Sequence, residues 1–176
     1  MNADAYLDLL RNRYSVRAFT NEQLTEEELA AVLEAGRLSP TACNNQPVRI
    51  CVVQSDEGLA KVDECSKCRY GAPTVLIVAF DKSLSAKGMG CESGDFGTID
   101  ASIVITNMAN AAAALGLGGC WVGAYDPALV RARFNVPADY ELVDMLMLGH
   151  PVPTCVPSPR HAERLPIDQT VTHEAF

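Results

Sequence analysis

Two early stretches of the chain place apolar residues at helical spacing. Between Ala3 and Arg11, the residues Tyr6, Leu9 and Leu10 fall on one face. A second helix opens at Thr25, because Glu28 stands three positions on and completes a capping box. Leu29, Val32, Leu33 and Gly36 then mark one face of a helix ending near Leu38. After that the period changes. Val48 to Gln54 reads as a strand, and Thr74 to Phe80 is a short continuous apolar run of the kind buried on both faces of a sheet. An Ala-rich helix follows over roughly Ile99 to Leu115, stopped by Gly116, Gly118 and Gly119. Cys120 to Tyr125 is strand-like, and Asp126-Pro127 supplies an N-cap with proline at the first helical position of a helix running to about Phe134. Leu142 to Leu148 is a further strand.

Ser39 to Pro47 and Leu84 to Gly97 read as loops. Beyond the last strand, Pro151, Pro153, Pro157 and Pro159 forbid regular pairing, so residues from about 151 to 176 form an extended arm that needs a surface to lie on. Helices come first and strands are interleaved without a βαβ alternation. The expectation is an α+β layered fold, with residues 1–176 as one domain.

Composition narrows the function classes. The formal net charge of −8 argues against nucleic acid as a partner. The longest apolar stretch, Ala101 to Leu117, is broken by Thr106, Asn107 and Asn110, which fits a core helix and no membrane span. The segment Met1 to Leu10 has no basic region of a secretory signal. The odd count of seven cysteines is then expected as reduced thiols in a cytoplasmic setting.

Chemistry concentrates in few places. Arg13-Tyr14-Ser15-Val16-Arg17 lies in a stretch with no acidic residue between Asp8 and Glu22. On an extended backbone Arg13, Ser15 and Arg17 point the same way, and guanidinium forks with a hydroxyl suit a phosphate. A solvated basic face fits the same spacing equally well. Arg160 and Arg164 form a second basic group that could converge on the same anion or merely decorate the tail. Pro40 to Pro47 is dense in side-chain amides, which can read the edge of a heterocycle but also build ordinary turns.

Other readings fail on context. Gly116-Leu117-Gly118-Gly119 is no dinucleotide fingerprint, because Trp121 occupies the third glycine position and a helix precedes it. There is no Gly-x-Ser-x-Gly elbow, and His150, His161 and His173 all lie in the last quarter. Cys65-Ser66-Lys67-Cys68, with Cys91 as a conceivable third ligand, could be redox-active or metal-binding, but inert thiols are the favoured expectation.

Taken together, these segments resemble the nitroreductase family of FMN oxidoreductases. Arg13-Tyr14-Ser15-Val16-Arg17 is similar to its Arg-Arg-Ser-x-Arg opening, and Leu38 to Pro47 to its Ala-Pro-Ser-x-x-Asn-x-Gln-Pro-Trp segment. Gly71-Ala72-Pro73, Gly116 to Ala124, Leu148-Gly149-His150-Pro151 and Arg164-Leu165-Pro166 match later segments in the same order. The likeness spans nearly the whole chain. Val48 departs from it, standing where the family has Trp, and no inserted helical lid is expected in so short a chain.

The resemblance implies a mixed central sheet flanked by helices and a homodimer with FMN at the interface. It also implies that the C-terminal arm embraces the partner subunit. Arg13, Ser15 and Arg164, with Tyr14 between them, would hold the phosphate, and Arg17 would reach the ribityl chain and the N1–C2=O edge. Pro40, Thr41, Ala42, Asn44 and Gln46 would come from the other subunit. Val122, Gly123 and Ala124 would pass beside the ring, with the Gly123 N–H toward N5. Lys67 or Arg69 would read the pyrimidine. The implied reaction carries hydride from NADH or NADPH through flavin N5 to a nitro compound, quinone or similar small acceptor, with no catalytic side chain. The rival expectations are a flavin-binding protein without turnover and a Cys-x-x-Cys thiol or metal protein.

Overall fold

The computed structural model describes residues 2–88 and 94–176. The first helix, α1 (Ala3–Asn12), is capped by Asn2, whose side chain accepts from the Ala5 N–H. In α2 (Glu26–Arg37) the capping box forms reciprocally: Glu28 N–H donates to Thr25 Oγ1 at 3.1 Å, and Thr25 N–H donates to Glu28 Oε2 at 2.8 Å. The helix α3 (Asp56–Cys65) has no counterpart in the sequence-based expectations. Ser55 caps it, Asp56 and Glu57 complement its N-terminal dipole, and Leu59, Val62 and Cys65 form a narrow buried stripe. The long helix α4 (Gly97–Ala114) and the short α5 (Pro127–Phe134) complete the set, with Asp126 Oδ1 accepting from Ala128 and Leu129 N–H.

Four strands, β1 (Val48–Val53), β2 (Thr74–Asp81), β3 (Gly118–Val122) and β4 (Tyr140–Gly149), lie in the order β1-β2-β4-β3. Among the described residues every pairing between these four strands is antiparallel, so the expected mixed sheet is corrected; the parallel element is an isolated bridge from Ser15 to Gly119. The reason is topological. Both β2 and β3 run antiparallel to β4, hence parallel to each other, but β4 fills the slot between them. Gly118 and Gly119 open β3 and are not the helix stop expected of them; Leu115 caps α4 and Gly116 follows with φ +78°.

Alternation along the central strands builds two cores. Val75 and Ile77 of β2 and Met145 and Met147 of β4 pack with α3 and α5 on one face. Leu76, Val78, Leu146 and Leu148 pack with α2 and α4 on the other. That two-faced burial explains the continuous apolar runs in the sequence. Opposite Val78 and Ala79 the register of β4 jumps from Asp144 to Leu142, leaving Val143 as a bulge.

The start of α4 is held from outside the helix. Its N-cap, Phe96, makes no side-chain cap; instead Asp95 Oδ1 accepts from Gly97 N–H at 2.7 Å and from Ser85 Oγ at 2.5 Å, while Oδ2 meets Lys87 Nζ at 2.6 Å. Burial opposes ionisation of this carboxyl, but Lys87, Ser85 and the Gly97 amide together bring its pKa down to about 2. A depressed carboxylate pKa stabilises the fold above the unfolded value of about 3.9, and that contribution disappears as pH falls through about 2. Asp95→Asn is therefore expected to cost about 1–2 kcal/mol at pH 6 and progressively less below pH 4. Denaturant unfolding of both proteins across this range measures it; a constant difference down to pH 2 would contradict the assignment.

The tail departs from a plain extended arm. It contains 3₁₀ turns at Pro159–Ala162 and Ile167–Gln169. Its first half lies on its own chain: Tyr14 Oη donates to Cys155 O at 3.0 Å, and His161 Nε2 is 2.8 Å from Arg11 O. Residues 162–176 are exposed throughout.

Candidate functional site

The segment from Arg13 to Arg17 runs along the free edge of β3. Val16 N–H donates to Gly119 O at 3.1 Å, and Ser15 forms an isolated parallel bridge with Gly119. Extended geometry alternates its side chains. Val16 is buried in the core on the α3–α5 side, and Tyr14 packs against the same core. Arg13 and Ser15 face the other way, into a cleft of about 440 Å³ under α4. Leu10, Thr106, Ala109, Asn110, Gly119 and Trp121 complete its lining, and none of the eight residues is acidic although the chain carries −8 overall. A guanidinium, a hydroxyl, a carboxamide and an indole face make a cleft suited to an anion joined to a flat ring.

Close approach makes this edge possible. A Cβ on Gly118 would stand 2.9 Å from the Val16 Cβ and both its Cγ atoms. Arg17 is exposed, with Nη1 donating to Ser15 O at 3.2 Å. Its side chain also hydrogen-bonds Tyr70, whose hydroxyl is pushed up by its hydrogen bond to Cys68 and by burial, with Arg17 pulling the other way. Burial raises the Cys120 thiol beneath this group, again opposed by Arg17. Tyr14 is committed to Cys155 and is not among the residues lining the cleft.

The amide loop lies elsewhere. Thr41 and Gln46 line a second cavity of about 450 Å³ with Leu33, Gly36, Val48 and Val104. Three non-glycine residues of the loop adopt positive φ: Cys43 (54°), Asn44 (55°) and Gln46 (51°). Asparagine tolerates that region, whereas cysteine and glutamine pay for it, so the surroundings must impose the conformation. Thr41 Oγ1 accepts from Gln46 N–H at 3.0 Å, and buried Asp100 accepts from Ala42 N–H at 2.9 Å. Asn44, Asn45 and Gln46 consequently stay exposed at the surface, beside exposed Pro40. Within one chain, then, the arginine segment and the amide loop sit in separate cavities.

Past β3, Ser66 Oγ donates to Ala124 O at 2.7 Å, and Asp126 N–H donates to Cys65 O at 2.9 Å, tying Cys65 and Ser66 to the segment from Ala124 to Asp126 that follows Val122 and Gly123. Arg69 is spent on Asp63, through two bonds of 2.7 Å, and on Ala72 O. Lys67 is exposed. The two thiols of the Cys-x-x-Cys diverge: Cys65 is buried near Glu64, Arg133 and Asp126, while Cys68 meets Tyr70. Among the described residues no cluster of three or more His, Cys, Asp and Glu could hold a metal, and no helix is long and apolar enough to cross a membrane. Cys91 lies outside the described residues. Arg164 bonds to His161 O and Glu163 O, close in sequence to the His161 contact with Arg11 but not among the residues lining the cleft.

Sequence reasoning missed Thr106, Asn110, Trp121 and Asp144. The first two were visible only as polar interruptions of the α4 run, although their i, i+4 spacing puts them on one face.

A family model described as "Nitroreductase family" matches residues 10–70 and 65–150. The chain belongs to the nitroreductase family. A nitroreductase family protein of Clostridium difficile is 31% identical, with 100% of both chains covered and a TM-score of 0.90. A nitroreductase-type protein of Desulfovibrio desulfuricans, solved in complex with FMN, is 27% identical over 100% of this chain and 99% of that one, with a TM-score of 0.79. The FMN reductase [NAD(P)H] of Bacillus subtilis is 27% identical over 168 residues, covering 86% of this chain and 68% of that protein. The nitroreductase fold accounts for the two-sided helical cover seen here.

Proposed function

We propose that this nitroreductase-family chain is a single-domain FMN-dependent oxidoreductase that works as a homodimer and oxidises NADH or NADPH. The carrying observation is the acid-free cleft in which Arg13 and Ser15 face Trp121 and Asn110 beneath α4. Arg13 and Ser15 hold the phosphate, with Arg164 joining from the tail that His161 ties to Arg11. Arg17 stands toward the pyrimidine end, where a cation offsets negative charge gained on reduction. Lys67 takes the pyrimidine edge, because Arg69 is already engaged by Asp63. Val122, Gly123 and Ala124 flank the ring, and Gly123 gives close backbone access. When bound, FMN supplies a two-electron centre that accepts hydride at N5 and passes it to a nitro compound, quinone or similar small acceptor. The protein's own part is to bind, orient and exclude water.

Dimerisation joins the two halves of the site. The amide loop of one subunit, rigid and exposed, meets the cleft of the other. Three features support it: the apolar tail residues Leu165, Ile167 and Phe176 are exposed, Ile99 is exposed on α4, and among the described residues no strand pairs with the outer edge of β1.

Trp121 is the sole tryptophan and lines the cleft, so FMN titrated into the apo-protein is expected to quench most of its emission with one FMN per subunit. Anaerobic NADH or NADPH should bleach the bound flavin, and a nitroarene or quinone should restore its colour. Flavin that binds but stays oxidised would leave a binding protein in place of an enzyme. Indole emission indifferent to FMN would place the cofactor elsewhere.

A further inference from the structure

Strand β4 aims one carboxylate at the candidate flavin site. Regular alternation from Leu148 and Leu146 leaves Asp144, beside the bulged Val143, opposite Val78 and on the α4 side of the sheet. There Asp144 Oδ2 accepts from the Trp121 indole N–H at 2.5 Å. Its Oδ1 lies where a side chain at Gly123 would begin: a Cβ there would stand 2.7 Å from it. Tyr125 Oη donates to the bulged Val143 O at 3.1 Å and locks the distortion from the far side. The Tyr125 hydroxyl is pushed up first by burial and then by the Asp144 charge, opposed by Arg131 and joined by Glu141. One carboxylate thus touches both the indole wall of the cleft and the backbone assigned to the flavin N5 edge.

We infer that Asp144 is the positioning and charge-setting residue of this site, fixing the Trp121 ring and holding a negative charge behind Gly123 that counterbalances Arg13 and Arg17. The inference rests on the flavin reading above. Its first role needs only an acceptor oxygen; its second needs the charge. Asp144→Asn keeps the size and the acceptor and removes the charge, whereas Asp144→Ala removes both.

Negative charge near the ring disfavours reduction, so its loss raises the midpoint potential of bound FMN. Asp144→Asn is expected to shift the oxidised-to-reduced ratio at a given potential about tenfold toward reduced, about 30 mV for a two-electron couple. Its indole emission should match wild type. Asp144→Ala should show the potential shift together with red-shifted indole emission and at least about twofold faster acrylamide quenching, already in the apo-protein. An unshifted potential in FMN-loaded Asp144→Asn overturns the charge-setting role. Indole emission and quenching unchanged in apo Asp144→Ala overturn the positioning role. Failure of the wild-type chain to bind FMN overturns the flavin reading and the charge-setting role with it, while the apo indole measurement still judges the Trp121 contact.

Discussion

Arg13→Ala combined with Arg17→Ala is expected to yield a folded protein that no longer retains FMN. Arg13 leaves the edge segment on the side away from the core that takes Val16, Arg17 is exposed and turns toward Tyr70, and among the described residues no ion pair depends on either. Their removal should therefore leave thermal unfolding within about 0.5 kcal/mol of wild type. The cofactor loses much more. A charge-assisted hydrogen bond contributes about 1.5–3 kcal/mol, so two of them correspond to at least about a hundredfold in Kd. Titration of apo-protein with FMN, followed by Trp121 emission and by ultrafiltration of free flavin, measures the loss. Circular dichroism melts run alongside separate a binding defect from an unfolded chain. Retention within about threefold of wild type would move the phosphate away from this segment and leave the acid-free cleft without its assigned ligand.

What was legible in the sequence was local or strictly periodic. The capping box at Thr25 and Glu28, and Asp126 before Pro127, are complete within four residues, so nothing distant could revise them. The buried strands β2 and β4 announced themselves because both of their faces are covered. The helix α3 did not, because only Leu59, Val62 and Cys65 commit to the core and the rest of its surface is polar or small. Antiparallel pairing was equally hidden: β4, last in the chain, inserts between two strands formed before it. At the site, the alternation that turns Arg13 and Ser15 into one cleft was readable from spacing alone, whereas Arg17, expected to point the same way, turns to Tyr70. Trp121 and Asp144 were not readable, since their meeting depends on the long-range pairing of β3 with β4, which no local pattern encodes. The strained loop illustrates the same limit. Asn44 favours its positive φ, but Cys43 and Gln46 accept theirs only because Asp100 and Thr41, one of them remote in sequence, hold the backbone.

Two adjacent glycines should behave in opposite ways, and the contrast tests how the fold makes the site. Gly118 and Gly119 open β3 and point to opposite faces of the sheet. A Cβ at Gly119 would meet Leu146 Cδ1 and Leu148 Cδ2 at 3.8 Å, an ordinary contact, so Gly119→Ala should fold with stability within about 0.5 kcal/mol of wild type. A Cβ at Gly118 would press at 2.9 Å on the three branching carbons of Val16, which is β-branched and has little rotamer freedom to yield. Relief must come from the backbone, through separation of the Arg13–Arg17 segment from β3. Overpacking of this kind costs about 1–3 kcal/mol. It also strains the bond from Val16 N–H to Gly119 O and the bridge at Ser15, which set where Arg13 and Ser15 point. Gly118→Ala is therefore expected to lose stability and FMN affinity together, the latter by at least tenfold, although residue 118 does not line the cleft. Denaturant unfolding and FMN titration of the two variants side by side check this. Gly118→Ala with wild-type affinity would mean that the arginine segment holds its place without β3, and the edge contact would then be packing alone.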